Sequence, residues 1–289
     1  MTGMVRAYSE QMDDALGETL DIHDLGFIRL VDYMGNDDSV VQMARVSYGN
    51  GTKSVNEDSA LIRYLMRHDH TSPFEACEIK LHVKCPIFVA RQWIRHRTAS
   101  VNEYSGRYSV MANEFYFPNH EDIMGQSSTN KQGSGKEISD DVRGLVRTGM
   151  DTVMKGAFDI YDCMLKMGVA REMARTVLPL STYTEFYWKI DLHNLLHFIR
   201  LRADEHAQEQ IRVYAEAIEK IVKMWVPLTY DAYLNYRKNA VKFSHEEMQF
   251  IRQAVDVFGV HQIEQQLKEQ GVKTKMSSGE VREFLNKLR

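Results

Sequence analysis

Apolar and polar positions alternate strictly along Cys77-Glu78-Ile79-Lys80-Leu81-His82-Val83-Lys84-Cys85. A period of two sends successive side chains to opposite faces, so this segment predicts a half-buried strand. Pro86 ends it and suits the first turn of a helix over residues 87–96. Two more strands are expected: residues 27–34, apolar and partly β-branched between Gly26 and Gly35, and residues 182–190, rich in aromatics and threonine. Leu61, Ile62, Leu65 and Met66 have the spacing of an amphipathic helix over 56–68. Short helices are expected over 38–47, followed by a turn at 49–51, and over 169–177; a longer one spans 141–167. The longest expected helix runs from Leu192 to Val226, where Pro227 would end it, with Leu195, Phe198 and Leu201 turned to the core. Ser72 before Pro73 reads as extended or in a turn. The polar stretch 125–138 reads as a flexible surface loop. Ser244-His245-Glu246-Glu247 resembles a capping box that opens more helix in the tail.

The chain has 289 residues, 44% of them hydrophobic and 26% charged, the balance of a globular protein of one or two domains. Lys and Arg number 36 against 40 Asp and Glu, for a net charge of −4. That argues against a globally basic nucleic-acid binder and leaves only a local basic patch open. No stretch approaches the about 18 apolar residues of a membrane helix, and the N-terminus carries no apolar leader. A cytoplasmic protein with no membrane partner is the expectation. Cys77, Cys85 and Cys163 stand at no metal-binding spacing and read as cytosolic thiols; none has neighbours that would mark a nucleophile.

The densest chemistry lies between Arg91 and Tyr108, with four arginines, one histidine and several hydroxyl and amide groups. Arg91 and Arg95 share a helix face. After Arg97 the sequence reads as a loop that combines guanidinium forks with Ser and Gly backbone N–H groups, a set suited to phosphate or another oxyanion. A basic helix end followed by a solvated turn is the plainer alternative. A second cluster, His193, His197, Arg200, Arg202, Asp204 and His206, falls in the expected long helix. His193 and His197 have metal-ligand spacing, but Asn-Leu-Leu between them lacks the glutamate of a zinc protease. An arginine on a largely buried helix needs an anionic partner, which a ligand could supply. Gly133-Ser134-Gly135-Lys136 faintly suggests a phosphate loop, but Glu137 replaces the required Ser/Thr and Asn130 replaces the first Gly.

Arg95-His96-Arg97, then Ser100, Asn102-Glu103, Ser105 and Arg107-Tyr108 at fixed spacing resemble, without a gap, the signature of the flavin-dependent thymidylate synthases. His70 to Glu75, Ala170 to Pro179 and Leu201 to Gln208 support the resemblance in family order, over roughly residues 25–236. It implies conversion of dUMP to dTMP, with methylenetetrahydrofolate as carbon donor, FADH2 as hydride donor and NADPH to reduce the FAD. It also implies an α+β subunit with an antiparallel sheet and a helical part, in a homotetramer whose active sites lie between subunits. Residues 1–236 would form the synthase-like domain and 237–289 a helical C-terminal extension. By residue, the resemblance places dUMP against Gln92, Arg95, Glu103, Ser105, Gly106, Arg107, Arg175 and Arg202. Arg202 would contact the uracil and stabilise its ionised N3, and so act as the catalytic residue. FAD would lie against Ser72, Arg95, His96, Arg97, Glu103, Asp191, His193 and His197, which explains the histidine pair without a metal. Ser105 without a base is a weak nucleophile and fits better as a hydrogen-bond donor to dUMP.

Two other readings use one cluster each. A metal-dependent hydrolase on His193, His197 and His206 predicts bound metal and no flavin. A polynucleotide-binding patch on Arg91 to Arg107 predicts steeply salt-dependent binding, against which stand the net charge and Glu103 within the patch.

Overall fold

The computed structural model describes residues 7–46, 55–128, 133–259, 262–263, 265 and 276–288. The expected turn at 49–51 lies outside them. The chain divides into two compact units, Met1–Tyr233 and Leu234–Arg289.

The first unit opens with α1 (Glu10–Asp14), β1 (Thr19–Ile22), β2 (Gly26–Met34), α2 (Asp37–Arg45), α3 (Val55–Arg67) and α4 (Ser72–Glu75). It continues with β3 (Glu78–Pro86), α5 (Ile87–Trp93), β4 (Ser100–Glu103), β5 (Gly125–Gln126), β6 (Ser134–Lys136), α6 (Asp140–Lys166) and α7 (Arg171–Ala174). It closes with β7 (Tyr183–Asp191), α8 (Leu192–Arg202), α9 (Glu209–Trp225) and α10 (Pro227–Tyr233). A five-stranded antiparallel sheet runs in the order β1-β2-β3-β7-β4, and β5 with β6 forms a separate small ladder. The α+β class and its antiparallel sheet are as expected.

The alternation of β3 is realised. Ile79, Leu81, Val83 and Cys85 are buried. They run beside the buried Thr184, Phe186, Trp188 and Ile190 of β7 in continuous register. That face meets α5, α8 and α9 through an aromatic cluster in which Trp93 lies 5.3 Å from Trp188 and 4.9 Å from Phe198, edge-on or tilted as ring quadrupoles prefer. The other face carries Lys80, His82, Lys84, Glu185 and Lys189, half-buried. Lys84 bonds Glu114 at 2.8 Å, and His82 stacks on Tyr187.

Several expectations change. Residues 192–226 are not one helix: α8 stops at Arg202 and α9 begins at Glu209. The cause is local, because the Asp204 carboxylate accepts from the backbone N–H and the ring of His206, both at 2.9 Å. Such an Asp-centred turn competes with continued helix. The end before Pro227 is as expected, with α9 stopping at Trp225 and Val226 as its C-cap, but Pro227 also opens α10, since a proline costs least in the first turn. Leu201 is 45% exposed, unlike Leu195 and Phe198, which are fully buried. Ser72 is the first residue of α4, with Pro73 in its first turn, so it is helical rather than extended. The stretch 125–138 is not loop throughout: Gly125–Gln126 pairs with Ser134–Lys136. That strand also takes the faint phosphate-loop motif. Finally, Ser100–Glu103 is an edge strand on β7 rather than loop.

The second unit holds α11 (His245–Phe258) and α12 (Ser278–Leu288). The expected box is present, with the Ser244 hydroxyl on the Glu247 N–H and the Glu247 carboxylate on the Ser244 N–H. Ser277 and Glu280 repeat it at α12.

Candidate active site

The segments that follow the central strand β3 carry Gln92 and the signature. α5 follows β3 and presents Gln92; the turn after it carries Arg95, His96 and Arg97; β4 then returns along β7 and delivers Glu103 beside Thr184. The Thr184 hydroxyl donates to Glu103 at 2.7 Å, which fixes that carboxylate.

Glu103, Ser105, Gly106 and Arg175 line one cavity of about 270 Å³, with Ile87, Met111 and Thr184. A Cβ on Gly106 would meet Met111 Sδ at 2.9 Å and Arg175 Cδ at 3.3 Å, so the glycine is what lets the arginine pass close to the backbone. Met111 belongs to a buried cluster with Tyr161 and Ala174, against which Phe158 of α6 packs. Its N–H donates to the Tyr161 hydroxyl at 2.9 Å. α6 therefore buttresses the cavity floor.

Arg95, His96, Arg97, His197 and Arg202 line a second cavity of about 320 Å³, with Thr98, Ile190, Asn194 and Leu201. Arg202 donates through Nε to His96 Nε2 at 3.1 Å and through Nη2 to the Gln92 carbonyl at 3.2 Å. An acceptor at Nε2 leaves the His96 proton on Nδ1. Burial, then the charges of Arg202 and His197, push the His96 pKa down to about 4, so the ring is neutral at physiological pH. Burial, then Arg200 and His193, lowers that of His197. Burial and Arg95 weaken the hold of Arg202 on its proton, although a guanidinium stays charged under any physiological condition. Gln92 of α5 donates through its side-chain amide to Gln208, the residue that precedes α9, at 2.5 Å. Arg95, Arg97 and Arg175 form no ion pair among the described residues.

The remaining candidates lie apart. Arg107 turns into a neighbouring cleft of about 500 Å³ and pairs with Glu172 at 3.2 Å. Ser72 is exposed on α4 and lines neither cavity. Asp191 caps α8, accepting from the backbone and side-chain amides of Asn194. His193 reaches the second cavity only through its field on His197. His206 turns back to Asp204, and the described residues hold no group of three or more side chains able to bind a metal.

Sequence reasoning missed Thr184, Met111, Asn194 and Gln208. Thr184 and Asn194 carried a signal: the first lies on the inward face of the aromatic strand, and the second one turn before Phe198.

A profile of the family described as "Thymidylate synthase complementing protein" matches residues 29–228. The chain is 54% identical over 250 residues to a flavin-dependent thymidylate synthase of Wolbachia pipientis, covering 86% of this chain and 88% of that protein. It is 51% identical over 251 residues to one of Ruegeria pomeroyi, with 86% and 83% covered. Among solved structures, a UMP/dUMP methylase PolB of Streptomyces cacaoi bound with 5-Br dUMP matches with a TM-score of 0.68 and 33% identity, over 76% of this chain and 99% of that one.

Proposed function

The chain belongs to the family of flavin-dependent thymidylate synthases, and from that premise we propose how its two cavities serve the reaction. It converts dUMP to dTMP by reductive methylation. When bound, the reduced flavin supplies the hydride, methylenetetrahydrofolate the one-carbon unit, and NADPH the electrons that restore the flavin.

The donor set of the second cavity suits an anionic dinucleotide with an apolar ring system. Arg95 and Arg97 offer charge to its phosphates, the neutral rings of His96 and His197 offer flat faces, and Ile190 and Leu201 supply an apolar edge. Gln92 and Arg202 lie at the same place, where Arg202, held by His96 and the Gln92 carbonyl, would stabilise negative charge developing on the pyrimidine. Because His96 is neutral, it orients the guanidinium without repelling it. The first cavity holds the remaining nucleotide-binding groups: Arg175 for phosphate, the N–H groups around Ser105 and Gly106, and the fixed carboxylate of Glu103. Arg107 would leave Glu172 to join them; the pair is exposed and weakly held.

The two sets of groups meant for one nucleotide line different cavities of one protomer. That supports active sites assembled between subunits, in the homotetramer the family resemblance implies. Residues 1–236 would form the catalytic domain and 237–289 a helical extension. The substrates are cytosolic metabolites, which supports a cytoplasmic location.

The observation that carries this reading is the unbroken signature, whose residues divide between two cavities that no cysteine lines, Glu103 and Ser105 in the first and Arg95 to Arg97 in the second. The test is a visible absorption spectrum of the purified protein supplied with FAD, before and after dUMP. Bound-flavin bands that shift on adding dUMP are the expected result. No bound flavin, or bands indifferent to dUMP, would overturn the shared site.

A further inference from the structure

The solvent side of α6 carries an apolar seam. From Val142, alternating steps of four and three residues land on apolar or small side chains all the way to Met167 at its C-cap. This is the spacing of a coiled-coil contact line, about 38 Å long at helical rise. The seam is open to solvent in the protomer: Val153 is 64% exposed, Ile160 54% and Met167 76%. The opposite face, with Tyr161 and Phe158, packs toward the first cavity.

Two seam positions are glycines. Gly149 and Gly156 lie inside the helix, where each costs about 1 kcal/mol relative to alanine. A Cβ at either would meet nothing within 4 Å, so nothing in the protomer requires them. Gly144 meets nothing either, but lies off the seam.

We propose that α6 pairs antiparallel with α6 of a second copy of this chain, about a two-fold axis between Val153 and Gly156. The seam is self-complementary in that register. Val153 faces the partner's Gly156, Gly149 faces the partner's Ile160, Val146 faces the partner's Cys163, and Val142 faces the partner's Met167. Each glycine receives a branched side chain, which is what close approach of two helices requires. The flanking positions also match: Thr152 comes opposite the partner's Asp159 and Leu145 opposite the stem of the partner's Lys166, so no like charges meet. An isologous contact of this kind is the commonest way for a chain to meet its copy.

The experiment uses the native thiol. Val146→Cys places a second cysteine on the seam, about 25 Å along the helix from Cys163, far beyond the about 7 Å that a disulfide can span. Any 146–163 bond must therefore join two chains. Diamide takes two hydrogens from the thiol pair and is reduced to its hydrazine form. The expected product is a covalent dimer on a non-reducing gel, released by reductant and absent from Val146→Cys/Cys163→Ser. No dimer, or equal dimer without Cys163, overturns the register. A second variant, Gly156→Leu, fills the space for the partner's Val153 on an exposed helix face. It should lower the sedimentation coefficient with the circular dichroism unchanged; an unchanged coefficient overturns the pairing. Either failure would leave the tetramer and the shared site standing on their own test.

Discussion

A thiol acts as a nucleophile through its thiolate, and burial in apolar surroundings suppresses that form. Cys77 is buried, and burial, followed by the charge of Asp37, pushes its pKa up to about 12. Burial, then Glu103, raises Cys85 well above the usual thiol range. Cys163 is exposed but sits on α6, outside both cavities. Replacing Cys77 and Cys85 with Ala and Cys163 with Ser should leave kcat for dTMP formation within about threefold of the parent, at some cost in stability from the two buried sites. A well-folded triple variant that binds flavin and makes no dTMP would restore a thiol mechanism. At this scale the sequence was most legible. The spacing of Arg95, Glu103, Ser105 and Arg107 identified the family, because a run of residue types at fixed intervals is a pattern the chain carries locally. It could not show that Arg107 pairs with Glu172, or that Asp191 is spent on capping α8, because partners distant in the chain leave no local pattern.

At the scale of elements, helix ends decide where the side chains of the site fall. α10 is capped in trans. The Asp37 carboxylate accepts from the N–H groups of Leu228 and Thr229 at 2.8 and 2.9 Å and from the Thr229 hydroxyl at 2.6 Å. Burial raises its pKa despite those three bonds, so the site holds the charge at a cost. Asp37→Ala would leave two helix N-terminal donors buried without partners, and should lower stability by about 3 kcal/mol in urea unfolding, with Asp37→Asn recovering part of it. A loss under about 1 kcal/mol would show that water replaces the cap. Where one element's pattern suffices, the sequence read correctly: β3 from its alternation, α11 from its capping box. It failed where a neighbour decides. The break between α8 and α9 rests on the contact of Asp204 with His206, and nothing in residues 100–103 announces a strand until β7 supplies the register.

At the scale of the whole molecule, the division of the signature between two cavities makes a quantitative prediction. If each active site takes Arg175 from one protomer and Arg202 from another, either arginine can be lost from different chains without loss of every site. Arg175→Ala alone and Arg202→Ala alone should each be inactive, while Arg202→Ala keeps much of its flavin, since Arg95, Arg97, His96 and His197 remain in that cavity. Co-expressed in equal amounts and purified through two different affinity tags, the two variants form mixed oligomers. Random assembly then leaves about a quarter of the composite sites with both arginines intact, and activity should return to about that fraction of wild type. If both arginines serve one site on one protomer, every site in the mixture lacks one of them, and the mixed oligomers should be as inactive as their parents. The same preparation tests how the site is built independently of its chemistry, because flavin absorbance would report the proposed flavin cavity whether or not dTMP is made. Recovered activity would also explain why neither cavity alone resembles a complete nucleotide site: the protomer supplies two halves, and each completes the other's neighbour.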